Sequence, residues 1–235
     1  MTSVLGIFAR FPQAGTTKTR LARDTGSKAA AEIYAAFVHD IIDHVSGLDD
    51  CRQVIAITPS EPSAMNWFRE TACDGFELVF QSDGCLGSRI CTFFASQFEQ
   101  GRGPVVVIGS DSPDLPLSDI KAAFHLLRTA DCVIGPAADG GLTLIGLKRL
   151  PPHFLDDVRW SSWQTLSDVL MACRKHQLQI ELLPVWYDVD SLENLGTLIS
   201  LQLAGAENAA PCPRTMNTLS KLGLVPDDST SAAAT

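Results

Sequence analysis

The stretch Arg10-Phe11-Pro12-Gln13-Ala14-Gly15-Thr16-Thr17-Lys18-Thr19-Arg20-Leu21 sets three cations and a glycine where backbone N–H groups can face an anion. The chemistry it suits is a grip on phosphate. It is not a Walker A loop, because glycine and lysine are not adjacent as G-x-x-x-x-G-K-[ST] requires. Taken alone, the stretch also reads as a solvated basic turn. A second group, Gly109-Ser110-Asp111-Ser112-Pro113-Asp114-Leu115-Pro116, follows the β-branched run Val105-Val106-Val107-Ile108. A carboxylate at the end of so apolar a strand is costly unless it is paired or coordinated. Asp111 is therefore a candidate ligand for Mg²⁺ or Mn²⁺, ions that keep waters and take further oxygens from phosphates. Asp114 has an equal claim to capping the next helix.

Two further groups lie downstream. Asp139-Gly140-Gly141 separates two apolar runs; a D-G pair favours a hairpin turn, and the flanking glycines permit close approach of a ligand. In Tyr187-Asp188-Val189-Asp190-Ser191, two carboxylates precede a helix that Ser191 can cap. Carboxylates from distant stretches meeting on one ion would let an acidic chain hold a polyphosphate.

Hydrophobic periodicity supplies the frame for these groups. Residues 3–9, 52–58, 76–81, 104–109, 132–136, 142–147 and 179–184 read as strands. Helices are expected over 27–45, 63–73, 87–100, from 116 to about 129, 162–175 and 191–203. In the first of these, Ile33, Phe37, Ile41 and Val45 recur every four residues, Ser27 serves as N-cap, and Asp40 and Asp43 stay in water. Alternating strands and helices imply an α/β fold of three layers, α/β/α, around a mostly parallel sheet with right-handed crossovers. In such sheets ligands bind at the carboxyl ends of the strands, where the four groups above fall. Residues 1–204 form this domain. From Gly205 the text turns linker-like, and the tail to Thr235 is expected to be poorly ordered, although Leu219, Leu222 and Leu224 give it the means to dock a short helix.

Composition narrows the function. Against 18 Lys+Arg the chain carries 27 Asp+Glu, a net charge of −9, which excludes a surface that grips nucleic acid or anionic lipid as a whole. The first residues lack the basic start and apolar core of a signal peptide, and no apolar run is long enough to cross a bilayer, so a cytoplasmic location is expected. Seven cysteines without a C-x-x-C and five histidines without an H-x-x-x-H suit reduced, mostly buried thiols rather than a zinc site.

Taken in order, F-A-R-x-P-x-x-G-x-x-K-T-R-L, G-x-L-G-x-R, G-S-D-S-P-D-L-P, D-G-G-x-x-L-I-G-L, W-S-S and D-V-D-x-x-E-x-L resemble the nucleotide-diphospho-sugar transferase superfamily with the GT-A fold. Within it the chain is most similar to a bacterial glycosyltransferase-like family related to molybdenum-cofactor and phospholactate guanylyltransferases. The resemblance runs from Ser3 to Leu203. It implies nucleotide binding by Ala9, Arg10, Gly15, Lys18, Arg20 and Arg89, and catalysis by Lys18, Arg20 and Asp111. It implies Mg²⁺ or Mn²⁺ on Asp111 and Asp190, and an acceptor side formed by Asp139, Gly140, Gly141, Trp160 and Ser161. The implied partners are a nucleotide or nucleotide-sugar donor and a small-molecule acceptor, without nucleic acid or membrane, a homo-oligomer being left open. Glycosyl transfer ranks slightly ahead of nucleotidyl transfer with release of pyrophosphate, and a nucleotide-binding protein that has lost catalysis is a third reading. Departures from the family pattern fall mainly on the acceptor side. Ala138 stands where an acidic residue commonly precedes Asp139, and Leu142-Thr143 replaces an aromatic pair. Arg10 replaces a lysine, and Leu192 and Asn194 replace a proline and an aspartate.

Overall fold

The computed structural model describes residues 2–72 and 74–225; Cys73 and Pro226–Thr235, on which part of the tail expectation falls, lie outside the described residues. Along β1 (Ser3–Arg10) successive side chains enter opposite cores, with Leu5, Ile7 and Ala9 in one and Val4 in the other. In β2 (Cys51–Thr58) and β4 (Val105–Gly109) the same alternation parts Ile55, Ile57, Val106 and Ile108 from Val54, Ala56, Val105 and Val107. A strand apolar on both faces must be covered on both, which is why these runs read as continuous rather than alternating.

With β3 (Phe76–Phe80), β5 (Cys132–Pro136), β6 (Leu142–Leu147) and β7 (Ile180–Leu182) they form one sheet in the order β3-β2-β1-β4-β6-β5-β7. Only β6 runs antiparallel to its neighbours, because the short Asp139-Gly140-Gly141 connection returns the chain directly beside β5. One face is covered by α2 (Ser27–Val45), α3 (Pro62–Thr71), α5 (Leu117–Leu126) and α7 (Leu192–Ala204), and the other by α4 (Leu86–Glu99) and α6 (Thr165–Lys175). The three expected layers are present. A single turn, α1 (Ala22–Thr25), leads from the basic loop into α2.

Three expectations are corrected. Ser27 does not cap α2; it is the first helical residue, and Gly26 precedes it in an extended conformation with positive φ and no side-chain cap. Asp40 is not in water but 2% exposed. Its carboxylate accepts hydrogen bonds from the backbone N–H groups of Arg214 (3.0 Å) and Thr215 (2.8 Å), in the first turn of a further helix, α8 (Pro213–Lys221). Burial pushes the Asp40 pKa up, and these donors oppose the shift. The described part of the tail is therefore not loose: α8 lies on α2 and buries Thr215 and Leu219. Amides left unpaired at a helix start need an acceptor, and a carboxylate on a neighbouring helix supplies it. Six cysteines in the described residues are free, of which Cys132, Cys173 and Cys212 are buried, while Cys85 is exposed.

Candidate active site

From β1 the chain crosses to β2 on one side, while β4 lies on the other, so the sheet has its topological switch between β1 and β4. A crevice opens there at the carboxyl ends of the two strands. The basic loop leaves β1 on one lip, and the loop carrying Asp111 leaves β4 on the other.

The basic loop is pinned from within. Buried Thr17 donates through Oγ1 to the Phe11 carbonyl (3.3 Å) and accepts from the Gln13 N–H (3.2 Å). Lys18 sits in the left-handed region at φ 49°, a conformation that a non-glycine residue keeps only when its surroundings dictate it. Its Nζ lies 2.6 Å from Asp111 Oδ1 and 2.9 Å from Asp190 Oδ1, with the side chain 3% exposed. The rings of Tyr34 and Phe37 stand 5.8 and 5.7 Å away. Burial works against the ammonium, but the two carboxylates outweigh it and raise the Lys18 pKa. Arg20 is exposed, with its guanidinium 4.0 Å from Asp190 Oδ2.

The Asp190 loop reaches this point because it is tied to the Asp111 loop. Val189 N–H donates to the Asp111 carbonyl (2.8 Å), and Ser112 Oγ donates to Asp188 Oδ1 (2.6 Å). Burial raises the Asp188 pKa to about 6 against the pull of the Ser112 bond, with the Asp111 charge adding to the rise. Asp114 does not cap α5, whose N-cap is Pro116 without a side-chain bond. It is fully buried and accepts from Trp186 Nε1 (3.2 Å) and from the Tyr187 hydroxyl, clamping the two loops together. Ser191 caps α7 as expected, in a reciprocal box with Asn194.

Tyr34 was missed by sequence reasoning. Its hydroxyl accepts from the Arg10 N–H (2.9 Å) and bonds Ser110 Oγ (2.6 Å), which in turn donates to the Phe8 carbonyl (3.0 Å). It thus joins the phosphate-side loop to the carboxylate-side loop. Burial and Asp111 push its phenol up to about 12. The available signal was a hydroxyl on the apolar stripe of α2, beside Ile33 and Phe37.

Two cavities meet over this cluster. One, of about 520 Å³, is lined by Ala9, Arg10, Lys18, Arg20 and Arg89; the other, of about 620 Å³, by Asp139, Gly141, Trp160 and Ser161. Arg20, Asp111, Ser161 and Asp190 line both, so the two cavities share one carboxylate pair. Arg89 is braced by its Nε on the Gly84 carbonyl (2.9 Å) and by NH1 toward Gln81 Oε1 (3.4 Å). Gly15 and Gly140 line neither cavity; Gly15 turns the basic loop at φ 86°, and Gly140, at φ 89°, is where a Cβ would strike the Trp163 carbonyl.

The loop bearing Trp160, Ser161 and Trp163 is held by Asp168, which accepts from Arg159 N (3.0 Å), Nε (2.8 Å) and NH2 (2.7 Å). The Arg159 bonds hold the Asp168 carboxyl down at about 2. A lowered carboxylate pKa stabilises the fold above its unfolded value, near 4, and the gain is lost as pH falls to about 2. Asp168→Asn is accordingly expected to melt a few degrees below wild type at pH 7, with the gap closing between pH 4 and pH 2; thermal denaturation against pH measures it.

Among the described residues no helix is long and apolar enough to cross a membrane. A 3-phospho-D-glycerate guanylyltransferase from Phenylobacterium zucineum is 28% identical over 145 residues, 57% of this chain; the match spans 62% of that protein, less than two thirds of its length. The crystal structure of a candidate nucleotide-diphospho-sugar transferase from Desulfovibrio desulfuricans G20 superposes with a TM-score of 0.86 at 27% identity, covering 97% of this chain and 100% of that one. A cytidylyltransferase from Leptospira borgpetersenii shares the fold, with a TM-score of 0.58 at 14% identity over 94% of each chain. The fold that the motifs implied is therefore the fold observed, and these relatives bear transferase names. The family described as an uncharacterized protein conserved in bacteria (DUF2064) matches residues 41–162, just over half of the sequence, and the chain belongs to that family.

Proposed function

We propose that this chain is a divalent-metal-dependent nucleotidyltransferase that joins a nucleoside triphosphate to a small phosphorylated acceptor and releases pyrophosphate. The observation that carries the reading is the meeting of two cavities at Asp111, Asp190 and Arg20, with Lys18 between the carboxylates. In this reading an acceptor phosphate oxygen attacks the α-phosphorus, a new P–O bond forms, and the bond to the β-phosphate oxygen breaks. Such chemistry needs positioning and charge compensation rather than a covalent enzyme intermediate.

The donor set fits a hard cation. Asp111 and Asp190 already converge on one positive centre, the Lys18 ammonium, at 2.6 and 2.9 Å. Among the described residues no group of three or more His, Cys, Asp or Glu is arranged to cage a metal, which suits an ion that keeps waters and shares substrate oxygens. Asp111 and Asp190 would hold it, and bound there it would neutralise polyphosphate charge. Lys18 and Arg20 supply further positive charge toward the nucleotide side, and Tyr34 holds the Arg10 and Ser110 backbones in register.

The name of the guanylyltransferase relative favours nucleotidyl transfer. Glycosyl transfer is the second reading, favoured by the name and the full-length superposition of the nucleotide-diphospho-sugar transferase neighbour. Assays with each nucleoside triphosphate, Mg²⁺ and phosphomonoester acceptors separate the two. Pyrophosphate release supports the first reading, and nucleoside diphosphate release from a nucleotide sugar replaces it with the second. A nucleotide bound at a hundred times its Kd is expected to raise Tm by on the order of 5–10 °C with Mg²⁺ present. Such a shift without turnover on any donor would mark a protein that binds but no longer catalyses.

A further inference from the structure

The acceptor-side cavity has a chemistry that the name of the guanylyltransferase relative does not suggest. Among the described residues that line it, Arg20 is the one cation, and it lies at the shared edge, 4.0 Å from Asp190. Away from that edge the charge is negative. Asp139 is exposed on the turn between β5 and β6, with Oδ1 accepting from the Gly141 N–H (2.8 Å).

Three of the hydroxyls around the cavity have their protons committed elsewhere, while the exposed Ser161 hydroxyl stands beside Asp111 and Asp190 at the shared edge. Thr143 donates to the Gly135 carbonyl (3.2 Å), Thr165 to those of Arg159 (2.9 Å) and Ser162 (2.8 Å), and Ser162 to that of Arg159 (2.7 Å). A hydroxyl that donates to backbone offers a ligand only its lone pairs. The Trp160 N–H is buried beside Gly87 and out of a ligand's reach. What remains away from the shared edge is the exposed Asp139 carboxylate and two indoles, one of them Trp163 at 75% exposure.

Building on the nucleotidyl-transfer reading, we propose that the acceptor carries, at its end remote from the reacting phosphate, hydroxyl or ammonium donors and no carboxylate or second phosphate, and that Asp139 enforces this choice. Donors meet the exposed Asp139 carboxylate, and an indole face suits both the C–H side of a polyol and a cation. A carboxylate tail would instead face Asp139 with no cation beside it, and like charges so placed are strongly disfavoured. By this logic 3-phospho-D-glycerate, the substrate that names the relative, is a poor acceptor here.

The test measures binding of three phosphomonoesters by calorimetry to the full chain loaded with Mg²⁺ and a non-hydrolysable nucleoside triphosphate analogue: glucose 1-phosphate, phosphoethanolamine and 3-phospho-D-glycerate. The first or the second is expected to bind at least about tenfold tighter than the third, and which one does distinguishes a polyol from an ammonium acceptor. Asp139→Asn keeps a carbonyl oxygen for the Gly141 N–H, so the turn survives, and it is expected to narrow the gap to within about threefold by improving the 3-phospho-D-glycerate affinity. Tightest binding by 3-phospho-D-glycerate, no binding by any of the three, or a ratio unmoved in Asp139→Asn overturns the proposal. Because the readout is binding, a failure to release pyrophosphate would sink the nucleotidyl-transfer reading and leave this ranking to stand or fall separately.

Discussion

Asp111→Ala is expected to lower turnover by about 10²–10³-fold or more and to abolish the Mg²⁺-dependent part of nucleotide stabilisation, while leaving the fold intact. Asp111 is half of the pair that converges on Lys18, and its backbone carbonyl, which the substitution keeps, is what ties Val189 to the loop. The same variant therefore separates a ligand role from a merely structural one. Its partner experiment is Lys18→Met, which should lose a similar factor in turnover. Without the ammonium, Asp111, Asp188 and Asp190 keep as counter-charge the exposed Arg20 guanidinium, 4.0 Å from Asp190, and the variant should gain more stability from Mg²⁺ alone than wild type does. Equal Mg²⁺ stabilisation in both proteins, read by thermal shift without nucleotide, would remove the case for a cation between these carboxylates.

The architecture was legible where one physical signal decided it. Runs such as Val105-Val106-Val107-Ile108 can only be strands covered on both faces, and the alternation of such runs with amphipathic helices fixes a layered parallel sheet. The placing of ligand loops followed from that geometry, which is why Lys18, Asp111 and Asp190 meet despite their separation in sequence. Burial of single polar residues was not legible, because it depends on what arrives from elsewhere. Asp40 looks like a solvated helix residue until α8 brings two amides to it, and Asp114 looks like a helix cap until Trp186 and Tyr187 reach it. Tyr34 is the same case seen from the other side: a hydroxyl on an apolar stripe whose partners, Arg10 and Ser110, lie on two strand ends. Local periodicity carries no information about such pairings, although their burial is what makes each of them energetically consequential.

Asp114 gives the second large effect, and it runs opposite to that of Asp111. Asp114→Ala leaves Trp186 Nε1 and the Tyr187 hydroxyl without their acceptor in a buried site, at about 1–3 kcal/mol each. A loss of about 2–5 kcal/mol is expected in denaturant unfolding, a large share of the stability of a domain of ordinary stability. The damage should not stop at stability. Trp186 and Tyr187 lead directly into Asp188 and Asp190, and the Asp114 carbonyl accepts from Ala210 N–H (2.9 Å), so one residue anchors both the carboxylate loop and the start of the tail segment. Asp190 is then free to leave Lys18, and metal-dependent nucleotide binding should weaken even at temperatures where the variant remains folded. Asp114→Asn tests the cause: it retains one acceptor oxygen but turns an N–H₂ group toward the other donor, so it should recover part of the stability and not all of it. Two variants as stable as wild type would show that the clamp is incidental, and that the carboxylate loop is held by the Val189–Asp111 backbone bond and the Ser191–Asn194 cap alone.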